Sequence, residues 1–526
     1  MDAAPKTSNR PPSRFGVIGG GTAGYFAALA IKRRFPHLDV TIVESSDIPI
    51  IGVGEATTTL MPPFLHHDLG LDIVELFHEV KPTFKMGIKF EWGLPRDSWF
   101  GYPFGPAEPV DAQAIDGHLR SQSLTSMLMA EDRAPVVRSP DNEIHSLLPS
   151  LKFAYHLDNA PFVAYLAKAA NRAGIAHIDA TIDEAVVDER SHVRSLRAKD
   201  GRELSFDFYI DATGFRSFLI EKVLKSPFLS YASTLFCDTA VVATVPQDGP
   251  IRPYTTAETM DAGWCWRIPV EGEDHRGYVH SSAFLNIDQA TNEMRSKNPG
   301  MGDPWIVRFR SGRHRDFWLG NVVAMGNAYG FVEPLESTAL HMVIIEIAYL
   351  LEGIEALWNP ARDDSFLQRA SEAVGAHWDY LRWFLGVHYK FNRRFDTPFW
   401  RAARADVDVQ GFQHLLDRFE REGPWLMRAG HRFEVGDPAF GYSGLMMLLL
   451  GQKAPSPALV ANTSESAWRA QIEKYQGVVK RALPQAEALR ALRDNPELLR
   501  RFSRGPGSWC GREEERFSVA KSLKSP

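Results

Sequence analysis

The first segment of this 526-residue sequence whose residue types can do chemistry is the turn Gly19-x-Gly21-x-x-Gly24. An apolar run precedes it, a helical pattern from Ala23 to about Phe35 follows, and Glu44 ends the next apolar run. In this order of strand, turn, helix and strand, the glycines let a pyrophosphate approach the backbone, and the helix N-terminus attracts its charge. The glutamate then accepts hydrogen bonds from ribose hydroxyls. The sequence therefore predicts a dinucleotide site formed by Gly19, Gly21, Thr22, Ala23, Gly24 and Glu44.

Two later segments contain the small residues and glycines expected where the chain returns to the dinucleotide site. An apolar strand ends in Asp211-Ala-Thr-Gly214, where small residues allow the backbone to approach a nucleotide closely. A further turn, containing Gly326 and Asn327, follows another short apolar run and opens a long helical pattern. We interpret this second glycine turn as another platform for an anion or a cofactor.

A lysine lies in a segment whose apolar residues recur at every second position. Phe84, Met86, Ile88 and Phe90 alternate with polar or small residues, which predicts one strand with a single apolar face. Lys85 then projects from the opposite face, toward solvent or a cavity. A lysine held in a pocket is a common site of pKa-tuned chemistry, whereas an exposed strand lysine is ordinary.

Trp264 and Trp266 lie two residues apart in an apolar run and therefore point to the same side of a predicted strand. From the residues alone, a pair of core tryptophans and a pair that lines a cavity are equally consistent with this spacing.

Composition excludes several classes of protein. A net charge of −6, with 24% charged and 44% hydrophobic residues, is typical of a globular protein and argues against a nucleic-acid partner. The three cysteines have no CxxC or CxxH spacing, so neither a disulfide framework nor a zinc site is indicated, and we expect no metal site. The longest apolar runs are too short to cross a bilayer, and no secretory signal is present, so we expect a cytoplasmic protein.

The motifs in this order resemble the flavin-dependent halogenases, most of all their tryptophan-halogenase branch, from residue 15 to about residue 400. The resemblance is carried by Gly19-Gly-Gly-Thr-Ala-Gly24, Gly54-Glu-Ala-Thr57, Thr83-Phe-Lys85, Asp211-Ala-Thr-Gly214, Trp264-x-Trp266-x-Ile-Pro269 and Phe331-Val-Glu-Pro-Leu-Glu-Ser-Thr338. It implies FAD, supplied as FADH2 by a separate NAD(P)H-dependent reductase, together with O2 and chloride or bromide. It also adds Gly54, Glu55 and Ala56 to the cofactor-binding residues.

The resemblance assigns roles to two titratable residues. In that family, hypohalous acid formed beside the flavin is guided to a lysine, which hydrogen-bonds it or becomes a haloamine, and Lys85 matches that lysine. Glu336 resembles the glutamate that orients the halogenating species and takes the ring proton. Its presence favours a free, electron-rich aromatic substrate, of the indole or phenol type, over one attached to a carrier protein.

The remaining site residues also follow from the resemblance. Thr338 and Ala339 match the backbone amides that hold halide, although the family usually has glycine where this chain has Ala339. Trp264, Trp266 and Pro334 match the wall of the flavin cavity. Tyr102 and Phe104 match an aromatic segment that stacks on the substrate, while the segment around Phe440 shows no clamp for a free amino acid, so we expect a roomy pocket.

The predicted fold is α/β, with a Rossmann-like FAD-binding core of the flavoprotein monooxygenase type. We expect this core to span 14–360, with an inserted β-rich substrate layer at about 215–319. A helical substrate-binding part follows at 361–505, and tails lie at 1–13 and 506–526. The oligomeric state is left as monomer or homodimer. A flavin-dependent aromatic hydroxylase of the same fold is the alternative function, because the FAD motifs alone do not separate the two.

Overall fold

The computed structural model describes residues 11–48, 54–95, 99–105, 123–148, 151–358, 365–424, 441–457 and 464–503. The two predicted tails lie outside these ranges, except for residues 11–13. The backbone N–H of Ser13 donates to Asp207 at 2.9 Å, which holds the start of the first strand. Phe440 also lies outside the described residues.

A six-stranded sheet forms the centre of the nucleotide-binding region. Its first five strands pair in parallel and the last pairs antiparallel. Such strands are covered on both faces and therefore consist of nearly continuous apolar residues. In spatial order the strands are Ala176–Asp179, Asp39–Glu44, Arg14–Ile18, Phe208–Asp211, Val322–Ala324 and Trp318–Leu319.

The register brings the predicted motifs to one edge of this sheet. Ile18 is opposite both Val43 and Asp211, and Asp211 is opposite Ala324. Because parallel strands end together, the segments that follow these residues emerge side by side. Ligands of open α/β sheets bind outside such carboxyl ends.

Three helices pack around this edge. Thr22–Arg34 lies against Asn159–Arg172 and Ala339–Leu357. The sequence pattern predicts a helix over 155–173 with Asp158 or Asn159 as its N-cap. The structure has the cap at Asp158, which accepts from the Ala160 N–H, but the residues before it, Ala154–Leu157, form a strand.

A seven-stranded sheet forms the second layer. It was predicted between about 215 and 319, but its far edge is built from two strands that precede residue 110. In spatial order it contains Trp305–Arg308, Thr239–Pro246, Glu273–His280, Gly263–Pro269, Thr255–Met260, Gly87–Glu91 and Phe100–Pro103.

The single strand predicted around Lys85 is in fact two strands in different sheets. Thr83–Lys85 pairs with Ala154–Leu157, whereas Gly87–Glu91 pairs with the seven-stranded sheet. Met86 makes the crossing, since its N–H donates to the Pro253 carbonyl and its carbonyl accepts from the Phe104 N–H, both at 2.7 Å. Both faces of this segment are buried, so Lys85 faces the interior rather than solvent.

Four small sheets complete the strand structure. Glu55–Ala56, Ala154–Leu157 and Thr83–Lys85 form the one that carries the lysine. The others, also given in spatial order, are Ile182–Val187, Val193–Ala198 and Glu203–Leu204, then Phe228–Ser230, Gly312–His314 and Gly330–Phe331, and finally Ala482–Pro484, Arg133–Arg138 and Ile144–Ser146.

The C-terminal region is mainly helical but contributes Ala482–Pro484 to a sheet with an early strand. None of the described helices is both long and apolar enough to cross a membrane. The described helices of the C-terminal region are Phe366–Phe391, Pro398–Asp406, Gln413–Glu422, Gly441–Gly451, Glu465–Val479, Gln485–Arg493 and Pro496–Ser503. Earlier helices are Met61–Pro63, Ile73–Glu79, Leu124–Ala130 and Ile287–Lys297, with π-helical turns at Phe64–Asp68 and Phe218–Val223.

Candidate active site

Lys85 is fully buried at the point where three chain segments meet. Its ammonium nitrogen Nζ donates to the Thr57 carbonyl at 2.9 Å and to the Ser337 hydroxyl at 2.6 Å. It also lies 5.3 Å from the centre of the Phe104 ring, within the range of a cation–π contact. By contrast, Lys89 is partly exposed and pairs with Glu91 at 3.5 Å. The fold therefore separates the two strand lysines into an interior group and a surface group.

Burial lowers the pKa of Lys85 to about 7, and the negative charge of Glu336 opposes this shift. Removal from water disfavours the charged form of an amine, while a nearby carboxylate favours it. An amine with a pKa near neutrality exists in both forms at physiological pH, and it is then able to donate hydrogen bonds or act as a nucleophile.

Glu336 is 2% exposed and lies in the one-turn 3₁₀ helix Pro334–Glu336, immediately before Ser337. Its Oε1 is 2.6 Å from Nε2 of His388, a fully buried residue of the helix Phe366–Phe391. Nothing in the local sequence pattern of a long helix identifies this partner of Glu336. The turn thus presents Glu336 and Ser337 to the same pocket as Lys85.

The paired tryptophans are buried beside the same turn. Trp264 donates from Nε1 to Oε2 of Glu333 at 2.7 Å, and Tyr389 donates to the same carboxylate. Burial raises the pKa of Glu333 to about 7. Trp266 packs flat over Gly277, where a Cβ would lie 2.0 Å from the ring. Both rings are therefore fixed, one by a hydrogen bond and one by the absence of a side chain beneath it.

The first glycine turn passes a geometric test for a nucleotide site. A Cβ on Gly19 would lie 2.2 Å from the Ala212 carbonyl oxygen, and one on Gly24 would lie 2.0 Å from that of Gly19. A Cβ on Gly21, in contrast, would meet nothing within 4 Å. Two glycines are thus required by the protein itself, and the third borders open space at the N-terminus of the helix Thr22–Arg34. These features fit the pyrophosphate of FAD.

Glu44 lies over this turn, close to Gly20. Its Oε1 accepts from the Tyr25 hydroxyl at 2.9 Å and lies within hydrogen-bonding distance of His177. These neighbours hold the carboxylate at the end of its strand, where the ribose of a dinucleotide would lie.

The second glycine turn is held against the first. Gly326 has a φ of +57°, and a Cβ on it would lie 3.0 Å from the Cβ of Ala23. Its N–H donates to the buried carboxylate of Glu346 at 2.7 Å, and burial raises the pKa of Glu346 to about 8. Asn327 lines a cavity beside this turn. Ala23 and Gly326, which the sequence places in two separate cofactor turns, therefore lie side by side, and Asn327 follows Gly326 in the chain.

The other predicted cofactor residues occupy different positions around this edge. Gly54 has a φ of +67° and packs on the ring of His275, while burial raises the pKa of Glu55 to about 7. Ala56 pairs with His156 in the sheet that carries Lys85. Gly214 has a φ of +59° and a Cβ there would meet nothing within 4 Å.

Asp211 has a structural task in this turn. Its Oδ1 accepts from Thr213, and its Oδ2 accepts from the backbone N–H groups of Leu219 at 2.7 Å and Ile220 at 2.9 Å. The side chain thus holds the turn after the strand, and its predicted contact with the cofactor stays a prediction.

The predicted halide residues lie at the start of the helix Ala339–Leu357. Thr338 is its N-cap but makes no side-chain capping bond, and its buried hydroxyl has no hydrogen-bond partner among the described residues. Backbone N–H groups of a first helical turn lack partners within the helix. The N-terminus of this helix therefore has the N–H donors that an anion needs, and it lies next to the turn that carries Glu336.

The predicted substrate residues lie on the rim of the lysine pocket. Tyr102 is opposite Ile88 in the seven-stranded sheet, and Phe104 contacts Lys85. Burial and the charge of Glu336 raise the pKa of Tyr102 well above its ordinary value, so the phenol is neutral. Aromatic rings therefore border both the lysine and the glutamate.

Three polar residues of the pocket were not predicted to act there: Thr57, Ser337 and His388. Thr57 and Ser337 lie inside the motifs that the sequence already marks, beside Ala56 and Glu336, so their position in those motifs was an available signal. Ser337 has a φ of +61°, an uncommon conformation for a residue other than glycine, which turns its hydroxyl toward Lys85. For His388 the sequence offers no comparable signal.

One group of possible cation ligands occurs in the described part of the chain. Oxygen or nitrogen atoms of Asp158, Glu273 and His275 lie within 4.8 Å of one another, beside Gly54. Two of the three are partly exposed acidic residues, which commonly approach one another without an ion, and the absence of a metal stays a prediction.

Comparison with known proteins agrees with this architecture. The family model named tryptophan halogenase matches residues 14–464. Among curated relatives, tryptophan 6-halogenase ThaL of Streptomyces albogriseolus is 31% identical over 74% of this chain and 78% of its own length. Tryptophan 7-halogenase RebH of Lentzea aerocolonigenes is 30% identical over 77% and 81%. The crystal structure of MibH, a lanthipeptide tryptophan 5-halogenase, superposes with a TM-score of 0.91 at 45% identity, covering 99% of this chain and 100% of MibH. The chain therefore belongs to the tryptophan halogenase family of flavin-dependent oxidoreductases.

Proposed function

We propose that this protein uses FADH2, O2 and chloride or bromide to place a halogen on the indole ring of a tryptophan-like substrate, with Lys85 delivering the halogen. The observation that carries the proposal is the buried Lys85 nitrogen, held between Thr57 and Ser337 beside Glu336. A charged side chain is seldom fully buried in a protein unless its chemistry or its pairing requires it.

FAD fits the turn from Gly19 to Gly24, the carboxylate of Glu44 and the turn at Gly326. When bound in its reduced form, the cofactor supplies hypohalous acid from O2 and halide. Thr338 and Ala339 would hold the halide through backbone N–H groups, with Ala339 making the site narrower than glycine would. Trp264, Trp266 and Pro334 form the wall that keeps the substrate from the flavin. A separate reductase would deliver FADH2.

The two hydrogen bonds of Lys85 fix the direction in which its nitrogen can make a further contact. Two N–H groups are occupied by the Thr57 carbonyl and the Ser337 hydroxyl. A neutral amine has only two N–H groups, so its lone pair points away from both of these acceptors. The same geometry presents the third N–H of the ammonium form. The neutral form is able to accept the halogen, and the pKa of about 7 supplies that form near neutral pH.

Halogenation of the ring then needs a base. The ring carbon forms a bond to the halogen, the bond between halogen and its carrier breaks, and the ring loses its proton. Water is released when the neutral amine takes the halogen from hypohalous acid, because one amine proton joins the hydroxide. We assign the ring proton to Glu336, from which it returns to the Lys85 nitrogen that has given up the halogen. General-base residues contribute about 10² to 10⁴ in rate.

The similarity to MibH favours tryptophan within a peptide over the free aromatic compound expected from the sequence. MibH is 45% identical over nearly the whole chain, whereas ThaL and RebH are about 30% identical. We propose that Tyr102 and Phe104 stack on the indole in either case. We therefore propose a peptide-borne tryptophan as the preferred substrate, with free tryptophan as the second candidate.

The lysine assignment is tested by comparing Lys85→Ala with Lys89→Ala. With FAD, a generic flavin reductase and chloride or bromide, we expect Lys85→Ala to lose about 10³-fold in halogenated product while oxidation of FADH2 continues. Lys89→Ala, on the surface of the next strand, should retain activity within about twofold. Full halogenation by Lys85→Ala would reject the assignment.

The substrate assignment is tested with the wild-type enzyme and mass spectrometry. A tryptophan-containing peptide of the lanthipeptide type is compared with free tryptophan, free indole and a phenol at equal concentration. We expect the largest kcat/KM for the peptide. A preference for free tryptophan would restore the simpler assignment, and hydroxylated products without halogen, formed at the expense of NAD(P)H, would support an aromatic hydroxylase instead.

A further inference from the structure

The contact between Glu336 and His388 assigns a function to a histidine outside the predicted site. We propose that His388 is a positioning residue for halogenation: it holds Glu336 through Oε1 in its ionised form and leaves Oε2 to take up the proton of the substrate ring. This inference rests on the proposed function and adds a residue to it.

The ring of His388 is fixed in a single orientation. Its Nδ1 is 2.9 Å from the Phe384 carbonyl, one helical turn earlier. A carbonyl oxygen accepts hydrogen bonds and never donates them, so Nδ1 carries a proton. Phe90 and Phe384 enclose the ring at centroid distances of 5.4 and 5.2 Å, and Trp92 donates to the His388 carbonyl at 2.9 Å. The other nitrogen, Nε2, is therefore aimed permanently at Glu336.

One proton occupies the 2.6 Å contact between Nε2 of His388 and Oε1 of Glu336. Two arrangements satisfy it: an imidazolium beside a carboxylate, or a neutral imidazole beside a carboxylic acid. The charge-assisted hydrogen bond of the ionic arrangement is the stronger of the two, and the short contact favours it. Within the described part of the chain, His388 is the hydrogen-bond partner of Glu336. This leaves Oε2 as the basic atom on the pocket side.

The other titratable groups around the pair do not replace His388. Lys85 is partly neutral near pH 7, and its nitrogen already donates to the Thr57 carbonyl and the Ser337 hydroxyl. Tyr102 is a neutral phenol, and it interacts with both Glu336 and Tyr380. His388 is therefore the group placed to keep a 2% exposed carboxylate ionised.

The charge of the pair is measured directly by ¹⁵N NMR of the resting enzyme labelled at histidine. The signal of His388 is identified by its loss in His388→Gln, and His66→Gln, at a partly buried histidine with two hydrogen bonds, is the control. We expect both ring nitrogens of His388 to be protonated at pH 8, and we expect the neutral form with only Nδ1 protonated in Glu336→Gln. A neutral ring in the wild-type enzyme at pH 8 would overturn the proposal.

A double-mutant cycle tests by kinetics whether His388 and Glu336 act together. We expect His388→Gln and Glu336→Gln each to lower kcat for halogenation about a hundredfold, with KM and FADH2 oxidation nearly unchanged, and the double variant to be no slower than either. If the kcat losses of the two single variants multiply in the double variant, the two residues act independently and the proposed pair is rejected. If the wild-type enzyme yields no halogenated product, the proposed function fails, while the NMR result still decides the charge of His388.

Discussion

The nucleotide-binding turn and the lysine pocket are built by opposite means. The turn from Gly19 to Gly24 uses backbone atoms and the absence of side chains, and all its parts lie within one βαβ unit. The pocket uses side chains: Lys85, Glu336, Ser337 and His388 come from three elements and are buried together. Nothing in the turn depends on a titratable group, whereas nearly everything in the pocket does.

The glycine turn is built for binding, and the lysine pocket is built for reaction. A pyrophosphate needs N–H donors and space, which a helix N-terminus and glycine provide at any pH. A halogen-transferring amine and a proton-accepting carboxylate need a low-polarity environment that sets their charge, and only packing by distant segments creates one. Changes in the turn should therefore act through sterics, and changes in the pocket through charge.

The largest expected effect is steric and distinguishes two glycines of the same turn. Gly24→Ala would place a methyl group 2.0 Å from the Gly19 carbonyl oxygen, whereas at Gly21 a methyl group meets no protein atom within 4 Å. We expect Gly24→Ala to destabilise the protein by about 1–3 kcal/mol and to abolish FAD binding. Gly21→Ala should keep the melting temperature of the FAD-free protein and weaken FAD binding at least tenfold. Thermal melts and FAD fluorescence titration measure both, and equal melting temperatures for the two variants would contradict the account.

The second prediction concerns pH. Because burial lowers the pKa of Lys85 to about 7, the neutral amine fraction rises from about a tenth at pH 6 to about nine-tenths at pH 8. We expect single-turnover halogenation to rise about tenfold over this interval. Lys85→Arg, which stays charged, should show no such rise. A rate that falls with pH would indicate instead that the ammonium acts as a hydrogen-bond donor.

The third prediction separates the two tryptophans. Trp264→Phe removes the indole donor from the buried carboxylate of Glu333, while Trp266→Phe removes an N–H that has no partner among the described residues. The lost volume is the same. We expect the unfolding free energy to fall by about 1–2 kcal/mol more for Trp264→Phe. Denaturant titration provides the comparison, and equal losses would show that the hydrogen bond to Glu333 adds nothing.

The smallest expected effect is at Ser337. Ser337→Ala removes an acceptor from the Lys85 nitrogen, which favours the neutral amine and moves the pH profile to lower pH. We expect a threefold to tenfold loss of halogenation, on the order of one hydrogen bond. Ser337→Gly also removes the hydroxyl but relieves the φ of +61°. Similar losses in both variants would assign the effect to the hydroxyl, and recovery in the glycine variant would assign it to the backbone.

Much of the fold followed from local patterns. The strand, turn and helix at 14–34 were predictable because an apolar run, three glycines and a helical period occur in sequence. The break at Met86 was not predictable, since an alternating pattern continues through it and only hydrogen bonds to Pro253 and Phe104 divert the chain. The strand Ala154–Leu157 was not predictable for the same reason, because it pairs with strands distant in sequence.

The sequence by itself determined the α/β class, the glycine turns and the membership of Lys85 and Glu336 in the motifs of a halogenase family. These depend on residue type and short spacing, which local chain geometry converts directly into structure. The tertiary structure decided that Lys85 is buried, that Ser337 and Thr57 hold it, that His388 contacts Glu336 and that Asp211 supports a turn. Each of these depends on segments that meet only after folding, because burial and partner identity are properties of the packed chain.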